Sequence, residues 1–322
     1  MSETERLIER IYNSLNNTDT KNFLTNTISS SDLQSLLLDV FYNRSKRVSP
    51  SDVLASYTEN RFCKKTEIPQ KSFIDFDHIA YSVLPDHFEG IELSPVAPLG
   101  SVSSFARVHQ NNVVSTIRGN EVLSDATNIL TLEAALRRKI LSSYERRQSV
   151  TNLATSSRVL RAQYFDAPVS FAHFRIFSLA TASRDTGAYN FEKESLMVHL
   201  EYYLNLFEKL SGSGYRFGQI RVNLISLGKT EATIKNGLIN SLTKKYPLYN
   251  FTSELADNEF SEYYQYLRFQ IYITDKSEEL LIVDGGFTDW TQKLLSDKKE
   301  RLLISGLGTE RVIYAFSKFR NI

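Results

Sequence analysis

Val283-Asp284-Gly285-Gly286-Phe287-Thr288-Asp289 and, after a polar interval, Leu302-Leu303-Ile304-Ser305-Gly306-Leu307-Gly308-Thr309-Glu310-Arg311-Val312-Ile313 decide how this chain is read. In the second stretch an apolar strand passes through small residues into a helix that opens at Thr309. Small residues at a strand end let a ligand approach the backbone. An arginine just inside the helix can reach back to a phosphate over that end. The bland reading is a glycine-eased packing corner with a surface arginine, so the neighbouring sequence has to arbitrate.

Working upstream, Leu280 to Val283 is a continuous apolar strand, joined through Asp275-Lys276-Ser277 to a strand in which Leu267, Phe269, Ile271 and Ile273 alternate with polar residues. Ile220, Val222 and Leu224 alternate in the same way. Leu196, Leu200, Tyr203, Phe207 and Leu210 follow a helical course. Before them, β-like runs over 157–165 and 172–182 flank the turn residues Asp166-Ala167-Pro168. A helical stretch spans 128–143, a helix over 73–84 ends at Pro85, and a short strand over 90–93 runs into Ser94-Pro95. Many strands, few of them separated by crossover helices, predict an α+β layout with a mainly antiparallel sheet, not a doubly wound parallel one. Gly212, Gly214 and Gly218 follow a helix and not a strand, so they do not form a dinucleotide-binding turn, and no GxxxxGK[ST] occurs.

The first part of the chain differs. Leu33, Leu36, Leu37, Val40 and Phe41 recur at helical spacing after a serine-rich start, and Ser49-Pro50 reads as an N-cap with proline at the first helical position. No strand pattern precedes residue 68. The expected organisation is a helical N-terminal extension over 1–68 and a core over 69–322.

Thirty-eight Lys and Arg balance thirty-seven Asp and Glu, for a formal charge of +1. Such a chain has no long-range field to gather a polyanion, and no basic stripe of the kind nucleic-acid binders carry. Cys63 is the single cysteine, which excludes an intrachain disulfide and a cysteine-based zinc site. The five histidines have no HxH or HExxH spacing. The amphipathic N-terminus does not read as a signal peptide, and no apolar run reaches about 18 residues, so a cytoplasmic protein without membrane association is expected.

The two opening stretches resemble motif 3 of class II aminoacyl-tRNA synthetases, in the form found in the histidyl-tRNA synthetase group: a GGRYD-type segment, a strand, and G-x-G-x-E-R-L. Gly285, Gly286 and Asp289 match the first part, with Phe287-Thr288 in place of Arg-Tyr; Gly306, Gly308, Glu310 and Arg311 match the second. Four further regions fall in the same order. The helix over 73–84 and the segment 90–95 resemble motif 1. Leu123-Ser124-Asp125-Ala126-Thr127 is similar to L-R-P-E-G-T, with Asp125 for the usual Glu. Leu160-Arg161-Ala162-Gln163 followed by Phe174 resembles motif 2, with Gln163 for Glu. Val222-Asn223-Leu224-Ile225-Ser226-Leu227-Gly228 is similar to L-E-I-N-S-L-G. The resemblance covers about residues 70–320 and rests on collinear order, since no single motif is specific.

What the resemblance implies is a class II synthetase-like catalytic core that binds ATP with magnesium and an amino acid. Arg161 and Arg311 would be the catalytic, phosphate-directed cations. Arg161, Gln163, Phe174, Glu310 and Arg311 would hold the nucleotide, with adenine stacked on Phe174. Asp125, Thr127, Tyr263, Tyr264, Gly285 and Gly286 would hold the amino acid. The magnesium ligands are not assigned. Motif 1 implies a homodimer.

The departures bear on activity. Glu259 stands where the histidyl group carries a catalytic arginine, ahead of Tyr263-Tyr264, and Ile176 stands where a glutamine contacts the amino acid. The sequence ends at Ile322, shortly after Arg311, so an anticodon-binding domain is not expected and neither is tRNA charging. Two functions remain. One is a paralogue that binds ATP or AMP and an amino acid, with or without adenylate formation. The other is a non-catalytic regulatory or scaffold subunit with a protein partner, resembling the synthetase-like partner of ATP phosphoribosyltransferase in histidine biosynthesis. Arg161, Phe174 and Arg311 favour the first; Gln163, Ile176 and Glu259 favour altered or lost catalysis.

Overall fold

The computed structural model describes residues 3–15, 19–163, 171–227, 231–256, 263–276 and 278–317. The chain divides into two compact units, residues 1–64 with 115–120, and residues 65–114 with 121–322.

The first unit is helical: α1 (Glu3–Ser14), α2 (Thr20–Asn22, continued as a π-turn over Phe23–Thr27), α3 (Ser30–Ser45) and α4 (Pro50–Glu59). Two starts follow the capping chemistry of the sequence. The Ser29 hydroxyl accepts from Asp32 N at 3.1 Å. Ser49 and Asp52 form a reciprocal capping box with Pro50 at the first helical position. None of the described side chains of this unit is fully buried.

The second unit runs through α5 (Gln70–Ser82), β1 (Glu89–Gly90), β2 (Val96–Pro98), α6 (Ser101–Ser104), β3 (Asn120–Val122), α7 (Ala126–Ile140), α8 (Ser143–Gln148), β4 (Thr151–Leu160), β5 (His173–Arg184), α9 (Asn190–Gly212), β6 (Ile220–Ser226), α10 (Glu231–Lys245), β7 (Asn250–Leu255), β8 (Gln265–Asp275), β9 (Glu278–Thr288), α11 (Trp290–Leu295), β10 (Glu300–Gly308) and α12 (Thr309–Phe316). Among the described residues, one eight-stranded sheet has the order β1-β4-β5-β10-β9-β8-β6-β7. Only its two ends, β1 against β4 and β7 against β6, pair in parallel. This is the mainly antiparallel α+β sheet that the strand pattern predicts.

Side-chain alternation divides the sheet into two faces. One face packs Phe177, Leu179, Val222, Leu224, Phe269, Ile271, Val283 and Leu303 under α5, α9 and α12. This cluster includes Leu196, Leu200, Tyr203, Phe207 and Leu210, the five residues that the helical course of the sequence marks. The other face buries Leu153, Ala180, Ala182, Leu302 and Ile304 against Leu130 and Ala134 of α7 and Trp290 of α11. That second cover is incomplete, and the site lies where it ends.

Several strand limits differ from the sequence reading. The run expected over 157–165 is β4, which starts at Thr151 and ends at Leu160, so Arg161 and Gln163 follow the strand and do not lie on it. The early half of β4, Thr151-Asn152-Leu153-Ala154-Thr155-Ser156, lacks apolar alternation. It is held by pairing with β5, from Thr151 opposite Ala182 to Leu160 opposite His173. β9 continues through Gly285 and Gly286, where the sequence reading stops it at Val283. β10 likewise extends to Glu300–Gly308. The strand expected over 90–93 reduces to Glu89–Gly90, extended by Ile91 N donating to Ala154 O at 2.8 Å. Strand β7 and helix α10 have no counterpart in the sequence reading.

Candidate functional site

A cavity of about 710 Å³ opens on the incompletely covered face of the second unit. Its floor is set by period-two geometry. Phe174 and Ile176 of β5, Ile304 and Gly306 of β10, Ile282 and Asp284 of β9, and Arg268 of β8 line it. Their sequence neighbours Phe177, Leu303, Val283 and Phe269 point into the opposite core. The pairing of β8 with β9 shifts register between Ile271 and Tyr272, a bulge beside the cavity wall. Val102, Val108 and Asn112 close one side, and Ser124, Asp125, Thr127 and Asn128 another. The start of α6, which carries Val102, is tied down by the buried Glu121 carboxylate, which accepts from Gly100 N at 2.9 Å and Val102 N at 3.1 Å.

One wall is cationic. Arg161 lies just past the end of β4, its backbone N donating to Ala172 O at 2.8 Å. Its guanidinium sits 5.1 Å from the Phe174 ring centre, donates to Ser124 O at 3.2 Å, and approaches Asp125 Oδ2 at 3.5 Å. Arg311, in the first turn of α12, is half-buried and donates through Nη1 to Leu281 O at 2.6 Å. Among the described residues it has no carboxylate partner. Burial, and then the charge of Arg161, lower its pKa from the ordinary arginine value. Two guanidinium groups facing one cavity, only one of them paired with a carboxylate among the described residues, favour an anion.

The other end is amphipathic. Tyr264 donates through its hydroxyl to Asp284 Oδ2 at 3.1 Å. Arg268 grips the same carboxylate with Nε at 2.8 Å and Nη2 at 3.1 Å. Tyr263 packs edge-on to Trp290 with ring centres 5.2 Å apart. Burial raises both tyrosine pKa values well above the usual phenol value, so both hydroxyls stay protonated. Asp125 is the N-cap of α7. Its Oδ1 accepts from Thr127 N at 2.9 Å and from the Thr127 hydroxyl at 2.8 Å.

No family model matches the sequence, and no curated protein matches it. Solved structures do. A structure described as an ATP phosphoribosyltransferase regulatory subunit/histidyl-tRNA synthetase from Bacillus halodurans C superposes with a TM-score of 0.57 and 14% identity, covering 79% of this chain and 82% of that chain. Histidyl-tRNA synthetase from S. aureus gives a TM-score of 0.57 at 8% identity, over 78% and 72% of the two chains. The enzyme from Nostoc sp. PCC 7120 gives 0.52 at 13%, over 79% and 73%. The chain has the class II aminoacyl-tRNA synthetase core fold.

In this class II core the residues carried over by resemblance fall into three groups. Arg161, Gln163, Phe174, Arg311, Asp125, Thr127, Tyr263 and Tyr264 all line the cavity. Gly285 and Gly286 do not. A Cβ at Gly285 would stand 2.5 Å from Ser305 Cβ and 2.6 Å from the Phe269 ring, and one at Gly286 2.6 Å from the Tyr264 ring. These glycines make room for neighbouring side chains, which then shape the wall. Glu310 touches the cavity but is buried and committed. Its Oε2 accepts from Arg175 N at 2.9 Å and Arg158 Nη1 at 3.4 Å, and Oε1 accepts from the Thr66 hydroxyl. Glu259 lies outside the described residues. Arg268 and Asp284 were not assigned a role from sequence. The alternation of Leu267, Phe269 and Ile271 was the available signal, since it turns Arg268 to the opposite face.

Magnesium in nucleotide sites takes oxygen ligands, commonly one or two protein carboxylates beside the phosphates. Among the described residues, the carboxylates on this cavity are Asp125, Asp284 and Glu310, and each is already engaged by the protein donors given above. Gln163, exposed at the rim, offers an amide where the resemblance puts a glutamate. Among the described residues, no group of three or more His, Cys, Asp or Glu side chains could hold a metal ion. Among the described residues, this donor set does not fit a magnesium ion. Among the described residues, no helix is long and apolar enough to cross a membrane.

Proposed function

We propose that the cavity binds an adenine nucleotide, ATP or AMP, with phosphate between Arg161 and Arg311 and the base on Phe174. An amino acid would lie toward Asp125, Thr127, Tyr263 and Tyr264. The observation that carries this reading is the pairing of an aromatic platform with two guanidinium groups, one of which has no carboxylate partner among the described residues. Such a clamp needs no catalytic group to bind. The near-neutral charge gives tRNA no electrostatic footing, so any activated amino acid would pass to another acceptor, in the cytoplasm.

A second reading is a regulatory subunit with a protein partner. It is favoured by the engagement of Asp125, Asp284 and Glu310 in internal contacts, and by the likeness to a structure described as a regulatory subunit. The class II fold also suggests a homodimer, with α5 and the sheet edge at β1 as its interface; a monomer at micromolar concentration in sedimentation would remove that expectation.

Calorimetry with AMP, ATP and an amino-acid panel, paired with pyrophosphate exchange, separates these readings. Nucleotide binding together with exchange supports an adenylating enzyme. Nucleotide binding without exchange supports the regulatory subunit. No binding of any nucleotide overturns the nucleotide site.

A further inference from the structure

We propose that the Arg161–Arg311 end of the cavity takes a single phosphate group as a metal-free anion, so that the preferred ligand is a nucleoside monophosphate and not a magnesium triphosphate. This rests on the nucleotide reading above and narrows its ligand class.

The count of unbalanced charge is the first observation. Arg161 shares its charge with Asp125 at 3.5 Å, and among the described residues Arg311 hydrogen-bonds only to the Leu281 carbonyl. Between one and two positive charges face this end, which matches one phosphate. A triphosphate adds two further phosphate groups, whose charge these two arginines do not balance. Among the described residues, the next cations cannot serve. Arg268 is bound on two of its nitrogens to Asp284, toward the tyrosine end. Arg158 and Arg175 do not line the cavity and hold Glu310 and Asp77.

The second observation is the donor set. A magnesium ion would ordinarily supply the missing charge, but the three cavity carboxylates are engaged. Freeing Glu310 would strip the acceptor from Arg175 N, Arg158 and Thr66 at a buried position. Freeing Asp284 would break its two contacts with Arg268 and strip the acceptor from the Tyr264 hydroxyl. Freeing Asp125 would uncap α7. Among the described residues the wall is therefore complete without a metal, and two arginines take the place of the ion at one phosphate.

The test is calorimetry on the full chain with adenosine, AMP, ADP and ATP, each in excess EDTA and again in millimolar magnesium. AMP is expected to bind with the same affinity in both buffers, more tightly than ATP and about tenfold or more above adenosine. Arg311→Ala and, separately, Arg161→Ala are expected to remove the preference of AMP over adenosine. ATP binding that appears, or strengthens about tenfold, only with magnesium overturns the inference and leaves the nucleotide site standing. Equal binding of adenosine and AMP overturns it as well, by showing that the arginines do not read phosphate. Binding of none of the four ligands overturns both this inference and the nucleotide reading.

Discussion

The guanidinium of Arg161 lies 5.1 Å from the centre of the Phe174 ring, although the ladder pairs Phe174 with Val159. The contact is diagonal across two antiparallel strands, and the side chain covers it by leaning back from a position one residue beyond the end of β4. The platform is thus occupied by an internal cation while Asp125 holds the other side of that cation. A stacking ligand has to replace or join this contact, which makes Arg161 the residue whose position reports on binding.

Arg311 should behave as a residue kept for binding and not for folding. It is desolvated, feels the charge of Arg161, and is repaid by one carbonyl. Arg311→Met retains the methylene packing and removes the charge. Thermal unfolding should be unchanged or slightly raised, while AMP affinity in calorimetry falls about tenfold, for a charge-assisted contact of roughly 1.5–3 kcal/mol. A destabilised protein with unaltered affinity would assign Arg311 to structure.

Arg138 presents the opposite case. It and Glu300 are both fully buried and joined by two contacts, with Arg138 also donating to Ser149 O and Arg146 O, each at 3.0 Å. Arg138→Ala leaves Glu300 charged and unpaired beneath α8. A loss of about 3–5 kcal/mol is expected in urea unfolding. Arg138→Ala together with Glu300→Ala should lose less than the two single variants added, because neither charge is then stranded. Additive losses would mean that the two residues act independently.

Gly286 and Gly306 separate backbone clash from side-chain clash. A Cβ at Gly286 meets the Tyr264 ring at 2.6 Å and the Leu267 carbonyl at 3.0 Å, and the carbonyl cannot yield. Gly286→Ala should cost about 1–3 kcal/mol in urea unfolding. At Gly306 the nearest atom is Ile176 Cδ1 at 2.7 Å, the far end of a rotatable side chain. Gly306→Ala should fold with a smaller loss, and weaken nucleotide binding by displacing Ile176 on the cavity floor. The reverse order of stabilities would contradict this assignment.

These glycines show which parts of the molecule the sequence made legible. Gly306, Gly308 and Arg311 were readable because a strand, two small residues and a helix start follow one another along the chain. The sheet class was readable from alternation in Leu267–Ile273 and Ile220–Leu224. Gly285 and Gly286, which the resemblance puts at the amino acid, do not line the cavity, and the room they make is for Phe269 on β8 and Tyr264 just before it, side chains that only the register brings near. The engagement of Glu310 by Thr66, Arg158 and Arg175 has the same origin. β4 was cut short at its start because a strand buried by its partner needs no apolar alternation of its own.

Stability should fall with acid through His199. The ring is buried, bonded to the Thr181 hydroxyl at 3.0 Å and the Ser305 hydroxyl at 2.8 Å, and burial pushes its pKa down to about 3 from the ordinary 6.5. Between those values the unfolded chain binds a proton that the native chain refuses. The contribution is therefore complete above pH 6.5 and is lost as pH falls toward 3, at up to about 1.4 kcal/mol per pH unit. Urea unfolding at pH 7 and pH 5 should differ by about 2 kcal/mol from this residue. His199→Gln should flatten that difference, whatever its effect at pH 7. An equal slope in the variant would show that His199 does not titrate with unfolding.

Asp125 offers the sharpest separation of the two ligand ends. Its Oδ1 caps α7 through Thr127 N, and its Oδ2 faces Arg161 at 3.5 Å. Asparagine is about as good an N-cap as aspartate, so Asp125→Asn should keep α7 and cost little stability. It also removes the one carboxylate that offsets Arg161. With that restraint gone, the cationic end gains net charge, and AMP affinity in calorimetry should rise several-fold, with a steeper dependence on salt. If Asp125 also receives the ammonium group of an amino acid, binding of that amino acid should weaken in the same variant by about tenfold, for a contact between charged groups of roughly 1.5–3 kcal/mol. Opposite shifts for the two ligands would locate phosphate at Arg161 and the ammonium group at Asp125. A fall in AMP affinity with the fold intact would mean that Asp125 holds Arg161 in its binding position, and that the ion pair belongs to the site's preorganisation and not to its inhibition.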